Sequence, residues 1–333
     1  MKEKLKKLKP YFIGMTIGLF LVSSGVIADT IINSNNVAYK ETTVKSALDD
    51  LYTLADSCSN STSSNTTGVD TLMKLVSDTP TTREGCTGNG LFTKVTHNNG
   101  DVDYRYSGAC PNNYVSFNNE TWRIIGVFDG KIKIIRDDRI TDRSYDNNTN
   151  NWETSTIKAY LNGTEDGSYY GSIDNNYKAM IAENVVWYLG GEWGTKEVMY
   201  GYERSGASDT ISGTNPAASG TTKIGLVYLS DYGYAAEEGD SKCPATNILG
   251  YNDSTGYNVA GCKNNNWMYK NYNWWTLSSN SGGNVFYVHS FGHSNSSSPG
   301  YSRAVLPTLY LKSSVKISGG DGKTPDTAYI LSI

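Results

Sequence analysis

Three sets of side chains have the types and spacing that could do chemistry. His289 and His293 stand four residues apart, the spacing of a zinc-binding helix. Ser290 sits where the helical metalloprotease motif needs a glutamate, and the flanks read as strand, so these are expected to be surface histidines. Asp146, Asn148, Asn150 and Glu153 offer oxygen ligands at near-alternate positions, but the sharp-turn glycine of a calcium loop is missing. A solvated Asn-rich turn is the expectation there. Ser, His and Asp could be combined into a triad anywhere in so polar a chain, yet no nucleophile elbow is present. The expectation is therefore no catalytic residue, no metal site and no cofactor.

Binding chemistry is better represented. Between Asn264 and Leu311, rings are interleaved with Asn, Ser and Gly. Rings supply contact area at low entropy cost, and short amides and hydroxyls supply adaptable hydrogen bonds. The candidate ligand-binding residues are Trp267, Tyr269, Tyr272, Asn273, Trp274, Asn284, Tyr287, His289, His293, Asn295 and Tyr301. The same composition also suits a polar, loop-rich edge of a β domain with core tryptophans, and both readings stand at this point.

The elements that would position this window are mostly strands. Leu91–Thr96 and Val102–Tyr106 flank Asn98-Asn99-Gly100-Asp101, a hairpin signal. Thr121–Phe128 and Lys131–Arg136 flank Asp129-Gly130, the strongest hairpin signal in the chain. A two-residue turn there sets Ile125 opposite Ile134 and Val127 opposite Ile132, with Trp122 and Ile124 aligned with Ile135 on the other face. Apolar residues on both faces predict a central hairpin covered on two sides. Short helices are expected over Val69–Val76, Ser155–Asn162 and Asp174–Ala182, the last with Asp174 as N-cap. Gly190–Thr222 reads as a long surface excursion, Ile224–Leu229 as a strand, and Ala328–Ile333 as a closing strand paired inside the sheet.

Composition suits a loop-rich β or α+β protein: 19% charged, 38% hydrophobic, and rich in Gly and Tyr. The net charge is −4, and five Lys against one Glu in residues 1–28 would leave about −8 without them. No basic face awaits a phosphate backbone, so nucleic acid is not an expected partner. Lys2–Lys9 followed by the apolar run Tyr11–Ala28 reads as an export signal, and residues 11–28 would also serve as a membrane anchor if uncleaved. Five segments follow: 1–28 signal or anchor, 29–56 a short helical stalk, 57–68 a Ser/Thr/Asn linker, 69–85 a short helix and connector, and 86–333 the main domain. Val44–Ala55 carries an apolar stripe that could self-associate. In an exported chain, cysteines favour disulfides over metal. Local pairing, Cys86 with Cys110 and Cys243 with Cys262, is the simplest of several schemes and leaves Cys58 free or bridging two chains.

Several runs carry a resemblance. They are NNYVSFNNETWRIIGVFDGKIKIIRDD (Asn112–Asp138), NNWETSTIKAYLN (Asn150–Asn162), IGLVYLSDYGYAA (Ile224–Ala236), and NWWTLSS with the closing RAVLPTLYLKSSVKISGGDGKTPDTAYIL, joined by VAYKETTVKSALDDLY near the N-terminus. Together they resemble exported proteins of gut Gram-positive bacteria whose C-terminal domain is similar to the C-type-lectin-like, formylglycine-generating-enzyme-type (sulfatase-modifying-factor-like) fold. The resemblance implies a compact α+β domain with its first and last strands paired, two helices flanking a central antiparallel sheet, and a ligand face built late in the chain. It also implies that Asn264–Arg303 is a variable segment of the kind targeted by diversity-generating retroelements. The reactive cysteine pair of the formylglycine-generating branch finds only Cys243 and Cys262 here, without that branch's surrounding motifs, and the lectin-type carboxylate-proline sugar motifs are absent. The expected function is an adhesin-like protein, secreted or on the cell surface, binding a protein or glycan ligand on another cell or surface. A structural subunit of a surface fibre is the alternative, and a formylglycine-generating enzyme a more distant one.

Overall fold

The computed structural model describes residues 66–333 except 84, 87, 184, 206–216, 219–221, 238–263 and 281, together with two short strands nearer the N-terminus. The chain divides into two compact units, Met1–Asn65 and Thr66–Ile333. In the first, β1 (Ala38–Tyr39) and β2 (Thr42–Thr43) pair antiparallel. The apolar run Tyr11–Ala28, the stripe Val44–Ala55, residues 57–65 of the 57–68 linker, and Cys58, Cys243 and Cys262 lie outside the described residues. Among the described residues, no helix is long and apolar enough to cross a membrane.

The second unit is α+β and mostly sheet. Its larger sheet runs in the order β12 (Ile224–Gly225), β17 (Thr308–Tyr310), β8 (Lys131–Arg136), β7 (Glu120–Phe128), β5 (Val102–Gly108), β4 (Asn89–Thr96) and β3 (Ser77–Thr82). β6 (Tyr114–Phe117) also pairs with β7 and carries β19 (Tyr329–Ser332), which in turn carries β18 (Lys316–Gly319). A smaller sheet has the order β15 (Ser294–Ser297), β14 (Val285–Val288), β13 (Trp274–Ser279), β16 (Ser302–Val305) and β9 (Thr141–Ser144). β10 (Trp187–Tyr188) pairs with β11 (Ala217–Ala218). The helices are short: α1 (Gly68–Met73), α2 (Thr156–Asn162), α3 (Tyr169–Ser172), α4 (Asn175–Lys178), α5 (Lys196–Ser205) and α6 (Leu229–Tyr234).

The β7–β8 hairpin is the centre of the core, as its two apolar faces predict. Asp129 and Gly130 both take positive φ, the requirement of a type I′ turn, and Val127 faces Ile132. Seven consecutive residues of β7, Trp122–Phe128, are buried. The register beyond the turn differs from expectation: a bulge between Ile124 and Gly126 sets Ile124, not Ile125, opposite Ile134, and Arg123 opposite Ile135. Ile125 is the extra residue. Glycine at 126 suits the bulge, because a Cβ there would collide with the carbonyl of Tyr104 on β5. The β4–β5 hairpin forms as expected, its turn closed by the His97 carbonyl accepting from the amide of Gly100 at 2.9 Å. Cys86 and Cys110 are bonded across it, with Cα atoms 6.3 Å apart.

Other expectations are met in part. Ser155 caps α2 through the Lys158 amide, and Ile157 and Leu161 point into the core. Asp174 is the N-cap of α4, but that helix is a single turn, and Met180 and Ile181 reach the core from beyond it. Ile224–Leu229 is strand only at Ile224–Gly225, since Leu229 already opens α6. The final strand is paired inside the sheet, but with β6 in parallel and β18 antiparallel, so the first and last strands of the domain do not meet. Gly190–Thr222 is more than a surface excursion: it contains α5, whose Met199, Tyr200 and Glu203 are buried. Polar and charged residues on α5 hide this from a hydrophobicity reading, because its inward face is partly ionic.

Candidate functional site

The site rests on a scaffold of buried charge that joins α5 and α6 to both sheets. Asp231 of α6 accepts from Arg105 Nη1 of β5 at 2.7 Å and from Lys133 Nζ of β8 at 2.5 Å, all three enclosed. Burial alone would raise the Asp231 carboxyl, but Lys133 and Arg105 outweigh it and hold the group well below the usual carboxylate range. Burial draws Lys133 down to about 8 despite that partner. Arg105 also bonds Asp103 at 2.8 Å, and Asp103 contacts His97, whose other ring nitrogen lies 3.0 Å from Glu197 of α5. On the side of the smaller sheet, Glu203 of α5 accepts from Ser278 Oγ of β13 at 2.7 Å and from the amide of Ser230 at 3.1 Å; burial raises its carboxyl. The smaller sheet is therefore tied to the helices by a buried acid, and the helices to the larger sheet by an ionic chain.

One row of side chains crosses the smaller sheet on a single face. Asn295 opposes Tyr287, Tyr287 opposes Trp275, and Arg303 opposes Arg143. The Arg303 guanidinium lies 3.4 Å from the Tyr287 ring centroid and 5.0 Å from that of Trp275, so it roofs the two rings. The Arg143 guanidinium sits 4.0 Å over Tyr160 of α2, and its carbonyl accepts from Trp275 Nε1 at 3.0 Å. The outer layer is thus cationic, with an aromatic floor beneath. At the rim, Tyr301 is 63% exposed and Phe291 50% exposed.

Phe291 is held out by a tight turn that closes β14 onto β15. His289 donates its amide to the His293 carbonyl at 2.7 Å, and Gly292, at positive φ, donates to the His289 carbonyl at 2.7 Å. Tyr232 Oη and Tyr269 Oη donate to the carbonyls of Gly292 and Ser290, and Asn273 Oδ1 accepts from the Ser290 amide. His289 Nδ1 accepts from the Phe291 amide at 3.1 Å, which leaves the neutral ring with its proton on Nε2. Burial, with Arg303 nearby, lowers the pKa of His289; burial, with His289 stacked at 4.5 Å, brings His293 down to about 4.

The candidate residues therefore separate by burial. Trp267, Trp274, Tyr287 and His293 are buried, a correction to the reading that displayed them. Trp267 donates Nε1 to the Tyr106 carbonyl, Trp274 packs edge-on against Tyr232, and Tyr287 lies beneath Arg303. The strand flanks of His289 and His293 do not keep them apart either, because the hairpin stacks their rings. Tyr269, Tyr272, Asn273, Asn284, His289 and Asn295 are half-buried, and Tyr301 is exposed. Tyr272 spends its hydroxyl internally on Asp138 at 2.7 Å. In the Asn-rich turn, Asp146 accepts three backbone amides, and the Asn150 amide donates to the carbonyls of Asn280 and Asn284, so this segment braces the β13–β14 connection. Sequence reasoning missed Arg143, Tyr160, Phe291 and Arg303 as site residues. A signal for Arg303 was present: it is the only formally charged side chain between Lys270 and Lys312.

Residues 129–313 match the family described as a domain of unknown function, DUF6273, which takes in more than half of the chain. The chain belongs to this family. The matched span contains the whole smaller sheet together with Lys133, Glu203 and Asp231. No curated protein and no solved structure matches the chain.

Proposed function

We propose that this is an exported, adhesin-like surface protein whose C-type-lectin-like domain binds a protein or glycan ligand on another cell or surface. The supporting observation is the Arg303-roofed row on the smaller sheet, with Tyr301 and Phe291 exposed beside it. Two exposed rings share this sheet with the exposed Arg143 and the half-buried Arg303, and hydrogen bonds lock the sheet's interior. Such a surface is preorganised, and preorganisation is what lets a small face bind without a large ordering penalty. The window read as variable is compatible with this arrangement: its buried rings hold the sheet, and its outward positions at Phe291, Asn295 and Tyr301 are free to differ. The apolar run Tyr11–Ala28 supports export, with residues 11–28 as the anchor if uncleaved.

The test is a binding screen of the full-length chain in detergent micelles against panels of host and bacterial surface glycans and proteins. The Phe291→Ser/Tyr301→Ser double variant should keep the wild-type melting temperature and lose most of its binding, about tenfold or more, to the ligand the screen finds. A ligand held equally well by the double variant would remove this face from the proposal.

A further inference from the structure

Arg143 and Arg303 are direct cross-strand partners on β9 and β16 and share one face of the smaller sheet. Among the described residues, neither guanidinium has a carboxylate within ion-pair distance, whereas Arg105, Arg123, Arg136, Arg139 and Arg204 all do. The adjacent acid, Asp142, alternates to the opposite face and pairs there with Arg139 at 3.2 Å. Each guanidinium instead lies on a ring, Arg143 on Tyr160 and Arg303 on Tyr287, a contact that favours one orientation of its plane. Arg303 Nε is enclosed and has no hydrogen-bond partner. The described part of the fold thus offers these two side chains rings and no carboxylate.

Resting on the ligand-binding reading above, we infer that the Arg143–Arg303 pair is an anion subsite, and that the ligand is a glycan bearing carboxylate or sulfate groups. A planar or tetrahedral oxyanion between two guanidinium groups would accept charge-assisted hydrogen bonds from both. The surroundings favour a sugar over an acidic peptide. Tyr301 offers a ring face for stacking on sugar C–H groups, and Asn295 and Ser297 offer the short amide and hydroxyl groups that match sugar hydroxyls.

The experiment measures binding of the full-length chain, in detergent micelles, to immobilised heparin, hyaluronan, dextran and poly-glutamate at two salt concentrations. Heparin probes sulfate, hyaluronan probes carboxylate alone, dextran is neutral, and poly-glutamate is the acidic peptide. The expected result is salt-sensitive binding to heparin or hyaluronan, with little to dextran or poly-glutamate. Arg143→Gln and Arg303→Lys should each weaken it about tenfold or more, while Arg139→Gln leaves it unchanged. Arg143 is exposed on an edge strand, so its variant should melt as the wild type does and carry the test even if Arg303→Lys loosens the sheet. Equal binding of wild type and Arg143→Gln, or preference for poly-glutamate or dextran, would overturn the anionic-glycan inference while leaving a ligand-binding face in place. If no immobilised probe is held and the surface screen also finds no ligand, both fall.

Discussion

Asp231→Asn is the substitution whose consequences the structure specifies most closely. The wild-type carboxylate accepts from Arg105 at 2.7 Å, Lys133 at 2.5 Å and the Tyr228 amide at 3.1 Å, so three of its acceptor positions are used. Asparagine keeps the volume but has one acceptor oxygen, and its amide must then face one of two buried cations. Breaking a buried pair by removing one partner costs about 3–5 kcal/mol, because the other charge is left without compensation. For a unit of this size that is a fall in melting temperature of about 10 °C.

The pH dependence separates the two cations. Lys133 is drawn down to about 8 in the folded state, below its ordinary 10.5. Near pH 7 the wild-type lysine is charged and paired; in the variant it has lost its main support and sheds its proton. At pH 9 the wild-type lysine is largely neutral as well, so the part of the deficit that comes from Lys133 disappears. Each unit by which Asp231 supports that lysine corresponds to about 1.4 kcal/mol. The variant's deficit, measured by urea unfolding followed by tryptophan fluorescence, should therefore be larger at pH 7 than at pH 9 by about 1–2 kcal/mol. The Arg105 part should persist, since a guanidinium does not titrate in this range. A deficit below about 1 kcal/mol at pH 7, or an identical one at both pH values, would refute the account of Asp231 as the charge that holds the helices to the larger sheet.

Two further outcomes follow from named contacts. Cys86→Ala/Cys110→Ala opens a loop of 24 residues' separation and should lower stability by about 3.4 kcal/mol in the chain-entropy model, and reductant should bring the wild type to the same value; a double variant as stable as the oxidised wild type would contradict this. His293 is held at about 4, below its ordinary 6.5, by burial and by His289. Between these values the unfolded chain binds a proton that the folded one refuses, so stability is lost as pH falls from 6.5 towards 4, by at most about 3 kcal/mol. His293→Gln should flatten the acid limb of a stability-against-pH curve, and an unchanged limb would assign the acid sensitivity elsewhere.

Local signals in the chain were readable, and long-range ones were not. Asp129-Gly130 specifies its turn because both residues must take positive φ, and Ser155 specifies the start of α2 because its hydroxyl can cap. The Ile125 bulge was hidden, since it depends on how closely Tyr104 of another strand approaches Gly126. Helix α5 was hidden because its buried face is built partly from Glu203 and Tyr200, whose partners Ser278, Ser230 and His97 are distant in sequence. For the candidate site, ring content did not reveal burial: Trp267, Trp274 and Tyr287 are interior, while Tyr301 is exposed. Whether Tyr287 is displayed or roofed depends on Arg303, sixteen residues further on and two strands away.

That distinction bears on how a binding face can tolerate change. If the rings themselves were the contact surface, each substitution in the window would also remove packing from the sheet that carries it. On the proposed reading the two duties fall to different atoms. Trp274, Trp275 and Phe286 are buried, Thr276 Oγ1 donates to the Phe286 carbonyl at 2.8 Å, and Glu203 ties Ser278 to α5; all of these lie inside the sheet or behind it. Phe291 and Tyr301 have exposed side chains, on a turn and a loop whose shape is set mainly by backbone hydrogen bonds and by Tyr232, Tyr269 and Asn273. Replacing an exposed ring there costs little stability, because most of its surface was never taken from water. On the proposed reading such a surface can alter what it binds while the sheet beneath keeps its register, with Arg143 on the edge strand and Arg303 over Tyr287 as the cations that none of the described carboxylates pairs.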